Sequence, residues 1–217
     1  MKHNPSGFTL IEMAIALAVT SLLLGATLKG GELIDSARAK NISLDFRNVP
    51  LYISGYQDEF KTLPGDDANL ANHLPGATPC SPPAAGMCVI GNGVIDGKWS
   101  NTTVASESYL FWQHIRLAGL TDGPTDTSSG DYIPRNEFGG QIGITSISPI
   151  IGLKGKYIVC SDAIPGKFAK RIDVGLDDGN TATGYMQVVD AGTTTPSNPT
   201  QTANIVDDNR YLVCMIV

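Results

Sequence analysis

One carboxylate interrupts an otherwise apolar run near the N-terminus, and this arrangement constrains the fold more than any other feature of the chain. The run extends from Phe8 to Leu28, and Glu12 is its only charged residue. As a helix the run is about 31 Å long, which matches the hydrocarbon core of a bilayer. Because an ionisable group in such a segment is costly, it indicates a function by default. We therefore expect a membrane-spanning helix in which Glu12 has a specific partner.

A short polar leader precedes the apolar run, and the two meet in the sequence GFTLIE at residues 7–12. This junction resembles the class III signal of type IV pilins and type II secretion pseudopilins. It places a small residue before the cut, an aromatic residue after it and a carboxylate at the fifth mature position. The resemblance implies cleavage by a prepilin peptidase between Gly7 and Phe8, N-methylation of Phe8, and a role for Glu12 in setting subunit register. It is strong over residues 1–65 and weak beyond them.

The same resemblance implies a location and partners for the chain. The precursor would sit in a bacterial inner membrane and meet an inner-membrane assembly platform. The mature chain would then self-assemble into a helical filament in the periplasm or at the cell surface. Two simpler interpretations remain, namely a secretory signal cleaved near Leu24-Gly25-Ala26 and a plain membrane anchor. Neither of them explains Glu12.

Beyond the apolar run, the helix is expected to continue with an amphipathic pattern. Apolar residues recur at near-helical spacing at Leu33, Ala37, Leu44, Tyr52, Tyr56 and Phe60. A stop signal, Leu-Pro-Gly-Asp-Asp, follows at residues 63–67. The pattern predicts a leader at residues 1–7, a transmembrane or filament-core helix at 8–28, its amphipathic continuation at 29–62 and a loop-rich head at 63–217.

The head is expected to be an α+β domain built on a small antiparallel sheet. The chain contains 24 Gly and 13 Pro, which favours short strands joined by turns. Helices are predicted at residues 106–120 and 163–174, and strands within 143–160, at 185–189 and at 209–217. The predicted architecture is pilin-like, with one long N-terminal helix packed on this head.

Four cysteines in an exported chain suggest two disulfides, although four cysteines allow three connectivities. Cys80 and Cys88 lie in one short Pro- and Gly-containing loop, and Cys160 and Cys214 end two similar strand-like runs. We therefore favour the pairs Cys80–Cys88 and Cys160–Cys214. A zinc site is the alternative, but no C-x₂-C pair is present and the chain has three His.

Charge indicates which ligands the head would attract. The formal net charge is −6, so we expect no nucleic-acid partner. Asp173, Asp177 and Asp178 cluster among glycines, and carboxylate oxygens of this kind are ligands for Ca²⁺. The spacing departs from an EF-hand, because the twelfth position from Asp173 is Gly184 rather than Glu. A calcium site and a solvated acidic turn are the alternatives, and no other cofactor is expected.

The sequence carries no hydrolytic signature, since G-x-S-x-G, H-E-x-x-H and the phosphate-binding loop are all missing from it. His114 is expected to be a hydrogen-bonded, partly buried residue of the head rather than a catalyst. We therefore predict a non-enzymatic, structural subunit of a type IV pilus or pilus-like filament. The alternatives are a pseudopilin of a type II secretion system and a minor pilin that binds a ligand or acts as an adhesin.

Overall fold

The computed structural model describes residues 7–81, 83 and 86–217, with residues 26–28 described by their backbone alone. Apart from Gly7, the expected leader lies outside the described residues. The elements, in chain order, are helices α1 (Leu10–Phe60), α2 (Leu70–His73) and α3 (Glu107–Leu117), strands β1 (Ile142–Thr145) and β2 (Ile158–Pro165), helix α4 (Gly166–Leu176), strand β3 (Met186–Asp190), a 3₁₀ turn (Thr202–Asn204) and strand β4 (Arg210–Ile216). The expected α+β, pilin-like arrangement of a long N-terminal helix and a small antiparallel sheet is confirmed.

Helix α1 is continuous but takes part in two structural units. The N-terminal unit ends at Arg38, and the second unit comprises Ala39–Val217. The helix continues through Pro50 and ends at Phe60, just ahead of the stop signal at residues 63–67. The C-terminal part of α1 therefore belongs to the core of the head.

The apolar stripe of α1 differs from the one expected. Its buried positions advance by alternating steps of three and four: Ala39, Ile42, Phe46, Val49, Ile53 and Tyr56. Of the expected stripe only Tyr56 is buried, and Leu33 and Leu44 are exposed. The expected set was wrong at Leu33, Ala37 and Leu44, because its steps of four to eight residues drift around a helix of 3.6 residues per turn. Tyr52 and Phe60 are partly buried and pack against the core.

The sheet has the strand order β1-β2-β4-β3, and every neighbouring pair is antiparallel. The C-terminal strand β4 therefore lies inside the sheet, between β2 and β3. The pairing of β2 with β4 shifts between Ser161 and Ile164, where Ala163 has a φ of 56°. Ala163 was expected to begin a helix, but it forms a bulge in β2 instead, and the helix starts at Gly166.

The two longer helices of the head pack on the sheet. Helix α3 packs near β1, and α4 packs across β2, β3 and β4. Their buried apolar residues complete the core with those of α1: Leu110, Phe111, Ile115, Phe168 and Ile172. Helix α4 extends to Leu176, two residues beyond its expected end. This extension places Asp173 in the last turn and Asp177 directly after the helix.

Two disulfides tie the head together, and they are the two pairs that the sequence favours. Cys80 is bonded to Cys88 within one loop. Cys160 is bonded to Cys214, and the two residues are direct cross-strand partners in β2 and β4. The second bond therefore links the C-terminal strand to the middle of the sheet.

Candidate functional site

The N-terminal segment is organised around the contact between Thr9 and Glu12. The Thr9 backbone N–H and hydroxyl both donate to the Glu12 carboxylate, at 2.8 and 2.7 Å. The Glu12 N–H points back at the Thr9 hydroxyl oxygen, at 3.3 Å, and the Met13 N–H donates to the Thr9 carbonyl. Thr9 is therefore the N-cap of α1, and Glu12 occupies the third helical position of a capping box.

The capping box gives Glu12 a local role that the sequence analysis missed. Its signal was present, because Thr9-x-x-Glu12 ahead of an apolar run is the pattern of such a box. The start of the helix and the lone carboxylate of the apolar run are thus the same structural feature. In this protomer Glu12 is exposed, so it remains accessible to a partner from outside the chain.

The apolar side chains that surround this carboxylate are also uncovered. Phe8 is 83% exposed, Leu10 93% and Leu22 75%. Within the described part of the chain, α1 is the helix that is long enough and apolar enough to cross a membrane, judged by length and composition alone. An exposed apolar surface of this extent is typical of a segment that contacts lipid or another protein.

Comparison with known families bears on this segment. A family model described as "Prokaryotic N-terminal methylation motif" matches residues 2–28. The chain carries the class III signal of type IV pilins and pseudopilins. Comparisons with curated proteins and with solved structures give no match to the chain. The match ends within the N-terminal unit, so it supports a pilin-like or pseudopilin protein without distinguishing between them.

The signal has general consequences for the processing, assembly and location of the chain. It implies processing by a prepilin peptidase and assembly into a filament. Together with the apolar helix, it is consistent with a membrane-anchored precursor. It also suggests a structural subunit rather than an enzyme. Gly7 and Phe8, between which the cut is expected, precede the first residue of α1.

A second candidate site lies at the C-terminal end of α4. One carboxylate oxygen from each of Asp173, Asp177 and Asp178 lies within 4.8 Å of the others. The local fold fixes two of these side chains, because Asp177 accepts the Met186 N–H at 2.8 Å and Asp178 accepts the Asn180 N–H at 2.8 Å. The structure thus brings together the three residues that the sequence suggested as metal ligands.

Asp173 differs from its two neighbours in being fully buried. Neither of its carboxylate oxygens has a hydrogen-bond partner among the described residues. Burial, with smaller contributions from the nearby charges of Asp177 and Asp178, raises the pKa of Asp173 to about 7. The Gly179 N–H opposes this shift, although it makes no well-formed hydrogen bond to either carboxylate oxygen.

A third group of carboxylates was not recognised in the sequence. Glu107 is fully buried and accepts the N–H groups of Val89 and Asp96, both at 2.8 Å. Asp66 is also buried, and its carboxylate accepts N–H groups from the turn at residues 91–93. Burial raises the pKa of both groups, that of Glu107 to about 7. Glu107 thus holds the loop at residues 89–96 against the start of α3, and Asp66 holds its turn at residues 91–93 against the segment between α1 and α2.

His114 has a structural environment. Its Nδ1 accepts the Gly65 N–H at 2.9 Å, so its Nε2 is the nitrogen that donates to the Thr78 carbonyl at 3.1 Å. Burial lowers the pKa of the imidazole, which favours the neutral ring.

Glu107 also lies beside Cys80 and Cys88. Their sulfurs form the disulfide and are not thiolate ligands for a metal.

Proposed function

We propose that this chain is a structural subunit of a type IV pilus or pilus-like filament. In this proposal a prepilin peptidase cuts between Gly7 and Phe8, and Phe8 is then N-methylated. Subunits leave the inner membrane through an assembly platform and pack through α1. The observation that carries the proposal is the coincidence of the class III signal with an apolar helix whose side chains are exposed in the single chain.

Burial of the apolar half of α1 would supply the cohesion of the filament. Each apolar side chain that leaves water gains roughly 25 cal/mol per Å² of area. In the precursor lipid covers this surface, and in the filament the helices of neighbouring copies would replace the lipid. The exchange keeps the apolar surface out of water at every stage.

Glu12 would give this packing its register. Cleavage after Gly7 creates an α-amine on Phe8, and a positive charge buried among apolar helices needs a partner of opposite charge. The Glu12 carboxylate of a neighbouring subunit can supply it. Within one chain Glu12 already accepts two hydrogen bonds from Thr9. A carboxylate has further acceptor positions, so the capping box and an intersubunit ion pair are compatible.

Because Glu12 also takes part in helix capping, the substitutions must separate the loss of its charge from the loss of the cap. Glu12→Gln removes the charge but keeps a side chain that serves in a capping box. Thr9→Ala removes the N-cap hydroxyl but keeps the charge. In a cell that contains the assembly machinery, we expect Glu12→Gln to lower the yield of sheared filaments by more than about tenfold. We expect Thr9→Ala to assemble at close to the wild-type level.

Intact mass and N-terminal sequencing control for processing. Both variants and the wild type should begin at Phe8 and be heavier by one methyl group. Normal filament yield from Glu12→Gln would contradict the pairing of charges, and equal losses in both variants would assign the effect to helix capping. Recovery of mature chain from membranes but not from the sheared fraction would favour the pseudopilin alternative. An uncut chain, or one that begins near Ala26, would overturn the proposal.

A further inference from the structure

The end of α4 combines three features that are each unfavourable for an isolated chain. Carboxylates gather at the negative end of the helix dipole, where cations are preferred. The last turn of α4 contains no basic residue. Asp173 is buried with both carboxylate oxygens unpartnered in the described structure. A buried charge without a partner is unfavourable, so the arrangement requires a proton or a cation that neutralises it.

The geometry points to a calcium site formed by Asp173, Asp177 and Asp178, which we propose as a structural site of the head. The three contributing oxygens lie within 4.8 Å of one another. Oxygens that share a Ca²⁺ ion at 2.3–2.6 Å can be up to about 5 Å apart. The three carboxylates can therefore share one ion with little movement of the chain, and water supplies further ligands.

The ligand chemistry favours calcium over other common metals. All three side chains offer carboxylate oxygen, the ligand of hard cations. Zinc in structural sites prefers cysteine sulfur and histidine nitrogen, and all four cysteines of this chain are in disulfides. Magnesium requires shorter bonds and near-ideal octahedral geometry. The cluster comes from a helix end and the loop that follows, which suits the more flexible coordination of calcium.

Bound calcium would fix the connection between α4 and β3. Asp177 already accepts the N–H of Met186, the first residue of β3, and Asp178 accepts the Thr183 hydroxyl at 2.8 Å. An ion shared with Asp173 would join these contacts to the last turn of α4. The site would thus fasten one helix of the head to an edge strand of its sheet.

Thermal unfolding of the full-length chain in detergent micelles tests the site, with the fluorescence of Trp99 and Trp112 as the signal. Calcium at about 100 times its dissociation constant should raise the melting temperature by about 5–10 °C over the value in chelator. Magnesium at the same concentration should raise it less. No difference between calcium and chelator up to 10 mM would overturn the proposal, and an equal rise with magnesium would overturn the assignment to calcium.

Three Asp→Asn variants distinguish a specific calcium site from nonspecific screening of the negative charge of the protein. Asp173→Asn and Asp178→Asn should each abolish most of the calcium-dependent rise. Asp126→Asn is the matched control, because Asp126 is an exposed turn residue that accepts a backbone N–H two positions on, as Asp178 does. It should keep the full rise. Equal calcium effects in all three variants would contradict a specific site. Asp178 is exposed, so its variant is expected to fold even if Asp173→Asn does not.

Discussion

The head buries carboxylates in two places, and the two environments differ in what faces the charge. Glu107, the first residue of α3, and Asp66, between α1 and α2, accept backbone N–H groups from the loop at residues 89–96. At the end of α4, Asp173 accepts no hydrogen bond in the described structure and faces two further carboxylates. The first environment supplies dipoles that stabilise the negative charge, and the second adds more negative charge.

The difference separates two uses of a buried acid. A carboxylate that is held by backbone N–H groups organises a loop that has no regular secondary structure of its own, because each N–H it accepts would otherwise need another partner. A carboxylate without donors destabilises the fold unless a proton or a cation neutralises it. Glu107 and Asp66 thus receive donors from the chain itself, although burial still raises their pKa. Asp173 has no such donor among the described residues and depends on a proton or a cation from solution.

Removing Glu107 should have the largest effect on stability. Glu107→Ala leaves the N–H groups of Val89 and Asp96 without their acceptor and opens a cavity beside the Cys80–Cys88 disulfide. We expect a loss of about 3–5 kcal/mol in the free energy of unfolding, measured by denaturant unfolding in detergent. Glu59→Ala, on the exposed face of α1, should change it by less than about 0.5 kcal/mol. A loss at Glu107 no larger than this control would show that the loop does not depend on the carboxylate.

The same residue should make stability depend on pH. The pKa of Glu107 is raised from 4.5 to about 7 by burial, with smaller contributions from the charges of Asp66 and Asp96. Between these two values the folded state binds the proton more tightly than the unfolded state. This tighter binding of the Glu107 proton stabilises the folded state fully below about pH 4.5. The stabilisation, roughly 3 kcal/mol, is lost as the pH rises to about 7.

Buried His114 opposes this trend at low pH, because its lowered pKa makes folding less favourable once the unfolded imidazole becomes protonated. Melting temperature should therefore be highest near pH 5–6 and should fall toward pH 8. Glu107→Gln should make the fall between pH 5 and 8 shallower, whatever its effect on the melting temperature at any single pH. Part of the fall should remain, because the pKa of Asp173 is also raised to about 7. An unchanged slope in this variant would mean that Glu107 titrates at an ordinary pKa.

The two environments also differ in how far the sequence reveals them. Asp173, Asp177 and Asp178 are close in sequence, and one helix end brings them together, so their proximity was predictable. The acceptor role of Asp66 was not, because its N–H donors lie 25–27 residues away. Every residue other than proline carries an N–H group, so composition gives no sign of which ones a buried acid will meet.

The same distinction applies to the fold. The Thr9–Glu12 capping box is a local pattern and could have been recognised from residue types alone. The central position of β4 agrees with the favoured pairing of Cys160 with Cys214, two residues that end similar apolar runs. The bulge at Ala163 and the phase of the α1 stripe depend on the packing of distant strands and helices. Local propensity does not determine these features.

A single type of substitution, made once in each environment, gives the smallest but sharpest test of the comparison. In chelator at pH 8, Asp66→Asn replaces one acceptor oxygen by an NH₂ group that faces the backbone N–H groups of the turn at residues 91–93. We expect it to lower the free energy of unfolding by about 1–2 kcal/mol.

Asp173→Asn removes an unpartnered buried charge, and its new N–H groups face the carboxylates of Asp177 and Asp178. We expect it to raise the free energy of unfolding by about 1 kcal/mol. Denaturant unfolding of both variants measures the two signs directly. If both variants lost stability, the Asp173 carboxylate would have to be satisfied within the chain itself, and the two environments would be equivalent.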